Sequence, residues 1–119
     1  MQNGGARGLR RIANAAVYSI HGLRTAYRGE AAFRQELFGC LVLVPLALWL
    51  GATPLHRAAL IGSLLLVLVT ELINTAVEAA VDRIGPDYHV DSKRAKDIGS
   101  AAVFLSIVNA VVVWSLILW

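Results

Sequence analysis

The stretch Glu71–Ile84, ELINTAVEAAVDRI, decides the fold, because it brings acidic side chains into an otherwise apolar helix. It follows the run Ala58–Val69, which has the composition of a transmembrane helix. Helical residues advance by about 100° each, so four polar side chains share less than about a quarter of the helix circumference. This stripe extends about 16 Å along the axis, from the bilayer interior to its boundary. Its members are Glu71, Asn74, Glu78 and Asp82.

The position of this acidic stripe calls for a physical reason. An ionised carboxylate at membrane depth costs on the order of 2.5–3.5 kcal/mol on insertion scales. Three acids on one face therefore indicate that something cationic meets them. A second interpretation is an interhelical polar cluster that only assembles an oligomer.

Length and composition predict one small integral membrane domain, residues 1–119. The chain is 57% hydrophobic, with a mean hydropathy of +0.62. The net charge of +3 comes from basic residues that flank apolar spans, which favours a bilayer over nucleic acid as their partner. A lone cysteine, Cys40, excludes an intrachain disulfide framework.

The predicted fold class is an all-α membrane protein, with an amphipathic surface helix followed by three transmembrane helices. Apolar residues recur at i, i+3, i+4 and i+7 from Leu9, with arginines on the other face. Gly29, Gly51–Pro54 and Gly85–Pro86 separate the helices. The predicted bounds are about 9–28 for the surface helix and 31–50, 58–82 and 98–119 for the spans.

The distribution of positive charge predicts the orientation of the chain. Most Lys and Arg residues lie before the first span or in the second loop, between positions 83 and 97. The positive-inside rule places both segments in the cytoplasm. The C-terminus then lies outside, and the acidic stripe ends at the cytoplasmic surface.

Carboxylates near a basic loop at this surface suit a divalent metal and nucleotide phosphates. Mg²⁺ takes one or two carboxylates, and phosphate oxygens and water complete its octahedron. Glu30 and Glu78 could hold such a metal, while the deeper Glu71 could meet a hydroxyl arriving from the lipid side. Spacing alone does not fix this division, and the chain contains no GxxxxGK[ST] or GxGxxG phosphate loop.

Five segments of the chain resemble the prokaryotic diacylglycerol kinase family, in its proteobacterial form. The resemblance extends from about Arg11 to Trp119 and is closer than that to the undecaprenol kinases of Gram-positive bacteria. It rests on long motifs: RRIANAAVYS, EAAFRQE, ELINTAVEAAVDRIG, DYH and RAKDIGSAAV.

The resemblance implies an enzyme of the inner membrane that works as a homotrimer with shared active sites. Its expected reaction is transfer of the ATP γ-phosphate to the primary hydroxyl of sn-1,2-diacylglycerol, giving phosphatidate. ATP would be the co-substrate, Mg²⁺ the cofactor, and the lipid bilayer the surroundings.

The resemblance also implies roles for individual residues. Glu71 matches the catalytic base, and Glu30 and Glu78 match the metal-binding carboxylates. Asp87 stands where Glu is common, and Lys93 where Gly occurs. Matching nucleotide-binding positions are Arg11, Tyr18, Glu30, Glu78, Asp87, Tyr88, His89, Lys96 and Asp97, with Asn74 and Asp82 supporting the polar site. Matching lipid-substrate positions are Arg11, Ser19, Arg24, Arg34, Trp49, Arg57, Glu71 and Ser100.

Three other functions remain open at this point. An undecaprenol kinase would use the same chemistry on another alcohol. A proton-coupled small transporter also uses a buried Glu, but that class has four spans and carries the Glu in the first. A non-enzymatic membrane subunit would need only the helices.

Overall fold

The computed structural model describes residues 4–87 and 89–119, and the regular structure in that part of the chain is entirely helical. The prediction of an all-α protein with an N-terminal helix and three membrane-type helices is confirmed, since the last three helices are long and apolar enough to cross a bilayer. The chain divides into two compact units, Met1–Ala31 and Ala32–Trp119. The helices are α1 (Gly4–Gly29), α2 (Ala31–Leu50), α3 (Pro54–Ile84) and α4 (Val90–Leu118).

The first helix, α1, has a polar and an apolar face. Its apolar side chains Leu9, Ile12, Val17 and Ile20 are each more than half exposed. Such a face, with arginines opposite it, is typical of a helix that lies in a membrane interface. The helical hydrogen bonding continues to the joint with α2, where the Glu30 backbone N–H donates to the Ala26 carbonyl over 2.9 Å.

The ends of α3 follow from local sequence. Thr53 caps its start, accepting a hydrogen bond from the His56 backbone N–H over 3.2 Å. Pro54 follows at the first helical position, where its missing N–H has no cost. Gly85 ends the helix with φ +146°, a backbone conformation that residues other than glycine rarely adopt.

The start of α4 lies in the charged stretch that precedes the apolar span. His89 is its cap, with Nδ1 accepting a hydrogen bond from the Asp91 backbone N–H over 3.1 Å. The Asp91 carboxylate in the first turn complements the positive end of the helix. Helix therefore begins at Val90, eight residues before Ile98, where hydropathy alone begins the span.

The main packing in the second unit is between α3 and α4. At one end, the Trp114 indole N–H donates to the Leu60 carbonyl over 3.2 Å. At the other end, Lys96 Nζ lies 2.6 Å from Asp82 Oδ1. These two contacts mark the two ends of the packing between α3 and α4. The buried face of α3 has a spacing of three or four residues and comprises Leu60, Ser63, Leu64, Val67, Glu71 and Asn74.

Candidate active site

The upper half of the acidic stripe lies on the buried face of α3. Glu71 and Asn74 are 5% and 7% exposed, and they continue the row of buried apolar residues that packs inside the helix bundle. Glu71 and Asn74 therefore face other parts of the protein. A buried charge needs a specific partner or a specific task, so this face is the first candidate for chemistry.

Asn74 links the buried and accessible parts of the stripe. Its amide Nδ2 donates to Glu78 Oε1 over 3.3 Å, one helical turn further along α3. Glu78 is half-buried, and Asp82, a further turn on, is exposed. Accessibility thus rises along the stripe toward the end of α3.

A second carboxylate, Glu36 on α2, lies near Glu71. The two groups are close enough to repel each other electrostatically, and Glu36 Oε2 is buried without a hydrogen-bond partner among the described residues. Sequence reasoning missed Glu36 as a site residue. The position of Glu36 in the sequence does not indicate that it lies near α3, because this proximity depends on the register between α2 and α3.

A cavity of about 400 Å³ lies where α3 ends and α4 begins. The Lys96–Asp82 ion pair lies on its wall, and Lys93 Nζ pairs with Asp97 Oδ2 over 2.6 Å beside it. Basic nitrogens at the end of an acidic stripe suit a ligand that carries both phosphates and a metal. The lining residues are Val81, Asp82, Gly85, Pro86, Asp87, His89, Ser92, Lys93, Lys96 and Asp97.

Four of the predicted nucleotide positions of the second unit line this cavity, whereas Glu78 is not among its lining residues. Asp87 and His89 are exposed on its rim, and Lys96 and Asp97 come from the first turns of α4. Tyr88 lies outside the described residues.

The predicted positions of the first unit lie along α1 and at its end. Arg11, Tyr18, Ser19 and Arg24 are exposed, with Tyr18 at 71%, while Glu30 is half-buried at the joint before α2. The Ser19 hydroxyl donates to the Ala15 carbonyl over 2.8 Å, within the helix. Arg11 lines a shallow depression formed by its own helix.

The predicted lipid-binding positions of the second unit do not form one group. Arg34 lies in the first turn of α2, and Ser100 is exposed on α4 close to the level of Asn74. Trp49 and Arg57 lie at the opposite end of the membrane helices. Arg57 is 14 residues from Glu71 on α3, which corresponds to about 21 Å along the helix axis. Trp49 is 79% exposed, and Arg57 Nε donates to the Gly51 carbonyl over 3.0 Å.

The carboxylates of the acidic stripe are the candidate metal ligands of the site. Within residues 4–87 and 89–119, no three His, Cys, Asp or Glu side chains converge as a metal cluster. Mg²⁺ does not require one, since one or two carboxylates suffice when phosphates are present. The half-buried Glu78 carboxylate, held on one oxygen by Asn74, is a hard oxygen ligand of this kind.

Comparison with known proteins gives the family. The profile of the prokaryotic diacylglycerol kinase family matches residues 17–118. The diacylglycerol kinase of Escherichia coli strain K12 is 51% identical over 112 residues, which cover 94% of this chain and 92% of that protein. The Pseudomonas aeruginosa diacylglycerol kinase is 47% identical over 114 residues, covering 96% and 93% of the two chains. That of Haemophilus influenzae is 46% identical over 112 residues, covering 94% and 95%.

These relatives match this chain over almost their whole length. The range matched by the family profile contains α2, α3 and α4 together with the second half of α1. A family match of this extent, on a chain with three membrane-type helices, establishes the resemblance noted in the sequence. The chain belongs to the prokaryotic diacylglycerol kinase family.

Proposed function

We propose that this protein is a membrane lipid kinase that transfers the γ-phosphate of ATP to the primary hydroxyl of sn-1,2-diacylglycerol. The products are phosphatidate and ADP. The observation that carries the proposal is Glu71, a carboxylate 5% exposed on the inward face of a membrane helix, in a chain of this family. A buried base at that depth can meet a lipid alcohol, and Mg-ATP would enter from the surface end of the stripe with its γ-phosphate directed inward to that alcohol.

Glu71 acts on the attacking hydroxyl. Its carboxylate accepts the hydroxyl proton as the alcohol oxygen forms a bond to the γ-phosphorus and the bond to the β-phosphate oxygen breaks. The electron pair of the broken bond leaves with ADP. Burial keeps water away from the reacting centre, which favours transfer to lipid over hydrolysis.

Glu30 and Glu78 are the carboxylates that would hold Mg²⁺. The ion, when bound, neutralises phosphate charge and polarises the transferred group. Asn74 holds Glu78 in place through the 3.3 Å hydrogen bond. Asp82 fixes Lys96 at 2.6 Å, which positions its ammonium at the cavity wall for the phosphates.

The remaining positions would contact the two substrates. The nucleotide would meet Asp87, Tyr88, His89, Lys96 and Asp97, together with Arg11 and Tyr18 of α1. Ser19, Arg24, Arg34 and Ser100 would line the lipid cleft at its surface end. Trp49 and Arg57 lie at the opposite end of the membrane helices, and Arg57 is about 21 Å along α3 from Glu71, so both would line the rim of the lipid cleft that is remote from the head group.

The assembly and placement are proposed together. The chain forms one membrane domain over residues 1–119, with α1 on the bilayer surface, and three copies form a homotrimer whose active sites are shared between subunits. In this arrangement the N-terminus and the 83–97 loop lie in the cytoplasm at the inner membrane, a proposal that the basic flanks support through the positive-inside rule. ATP is then available to the cavity at the end of α3.

Undecaprenol is the second candidate acceptor, and a panel of alcohols tests the choice. Purified protein in mixed micelles with Mg-ATP is given diacylglycerol, monoacylglycerol, ceramide or undecaprenol, and the phosphorylated lipid is measured. Diacylglycerol is expected to give the highest kcat/KM. A higher value with undecaprenol would transfer the proposal to that substrate, and no lipid product with any acceptor would favour a transporter or a non-enzymatic subunit.

Mixed trimers test the sharing of sites. Glu71→Gln and Glu30→Gln subunits are each expected to be inactive alone, because each lacks one part of every site. Mixing them before reconstitution should restore part of the activity, since some sites then receive an intact Glu71 and an intact Glu30 from different chains. Equal mixing of tagged subunits is checked by co-purification. If well-mixed trimers regain nothing, each site is confined to one chain.

A further inference from the structure

Gly99 on α4 lies directly against Asn74 of α3. A Cβ atom added at position 99 would overlap Asn74 Oδ1 and would stand 3.3 Å from Asn74 Cγ. The same addition at Gly39 on α2 or Gly62 on α3 would meet nothing within 4 Å. The lack of a side chain at position 99 therefore leaves room for the Asn74 amide, a polar group of the candidate active site.

The chemistry of Asn74 explains why its oxygen faces α4. An ionised carboxylate only accepts hydrogen bonds, so the amide must turn its NH₂ group toward Glu78. This leaves Oδ1 on the side of Gly99, buried and without a hydrogen-bond partner among the described residues. Because Asn74 is 7% exposed, its amide has little room to move if position 99 grows.

We propose that Gly99 is a positioning residue for the metal–nucleotide site. The bare backbone of α4 at this position lets the Asn74 amide stay in the orientation that holds Glu78. The inference rests on the proposed function of Glu78. Gly99 itself has no catalytic chemistry, but through Asn74 it determines the orientation of the Glu78 carboxylate. A side chain at position 99 would therefore disturb the metal–nucleotide site by displacing the Asn74 amide, and not by weakening helix packing in general.

The direct test is Gly99→Ala, with Gly62→Ala as the matched control. The readout is the Mg²⁺ concentration that half-saturates binding of a non-hydrolysable ATP analogue to the reconstituted protein, with the thermal midpoint measured on the same samples. Gly99→Ala is expected to raise that concentration about tenfold or more, as loss of a residue that orients a metal ligand typically does. Gly62→Ala should leave it unchanged.

A double-mutant cycle with Asn74→Ala separates the proposal from a simple packing defect. Once the amide is gone, Gly99→Ala has nothing to displace, so the double variant should bind the Mg-analogue as Asn74→Ala does. This holds even if Gly99→Ala alone fails to fold, because the double variant regains the space. The proposal is overturned if Gly99→Ala behaves as wild type, or if the double variant is worse than Asn74→Ala. Wild-type protein that binds the Mg-analogue but phosphorylates no lipid would instead overturn the proposed function.

Discussion

Glu71→Gln is expected to lower the rate of diacylglycerol phosphorylation by about 10²–10⁴-fold, the usual contribution of a general base. Gln preserves the size of the side chain and its buried position on α3, but it cannot accept the hydroxyl proton. Binding of Mg-ATP should survive, because the residues around the surface cavity are unchanged. The measurement is kcat with saturating lipid, together with the Kd for a non-hydrolysable ATP analogue.

The neighbouring carboxylate provides the control for this substitution. Glu36→Gln removes a second carboxyl group near Glu71, since the two side chains are close enough to repel each other. It removes no proposed proton acceptor, so its loss of activity should be much smaller. Near-normal turnover in Glu71→Gln would remove Glu71 from the role of base, whatever the result for Glu36.

Glu78→Gln is expected to have the second largest effect, and to show it as a changed dependence on Mg²⁺. Polarisation by a metal is worth several kcal/mol, so loss of a ligand should reduce activity by about 10²-fold or more and raise the Mg²⁺ requirement. Asn74 can still donate to the Gln carbonyl oxygen, which keeps the local geometry. A magnesium titration of kcat measures both changes.

Asp91→Asn is a suitable control for Glu78→Gln. Asp91 is an exposed carboxylate in the first turn of α4 that lies 3.7 Å from Arg94, outside the acidic stripe. Neutralising Asp91 should leave the Mg²⁺ dependence of kcat the same as in the wild-type protein. If Glu78→Gln shows the same titration as Asp91→Asn, the metal is held elsewhere.

The helices and the inward stripe were predictable from sequence because both depend on local periodicity. Apolar runs of sufficient length predict the spans, and a 100° step places Glu71 and Asn74 on one side of α3, where the structure has them buried. The charged residues before Ile98 are helical, and hydropathy does not detect that. A polar cap at His89 begins α4 before the apolar residues start.

The contacts between helices were not predictable, because they depend on register. Nothing in the spacing of Glu36, Glu71 and Gly99 tells which side chains meet when α2, α3 and α4 pack. The ion pair of Lys96 with Asp82 also requires the turn at Gly85 to bring α4 back along α3. The grouping of Trp49 and Arg57 with the lipid site came from family resemblance, and the structure places them at the far end of the spans.

The most direct test of the central claim is where the γ-phosphate of ATP goes. Wild-type protein in mixed micelles with Mg²⁺, diacylglycerol and ATP labelled in the γ-phosphate is assayed for labelled lipid and labelled inorganic phosphate in the same sample. A buried base on α3 and a phosphate site at its surface end predict labelled phosphatidate as the main product, dependent on Mg²⁺. Folded protein that yields no labelled lipid, or releases the label only as inorganic phosphate, would contradict the account.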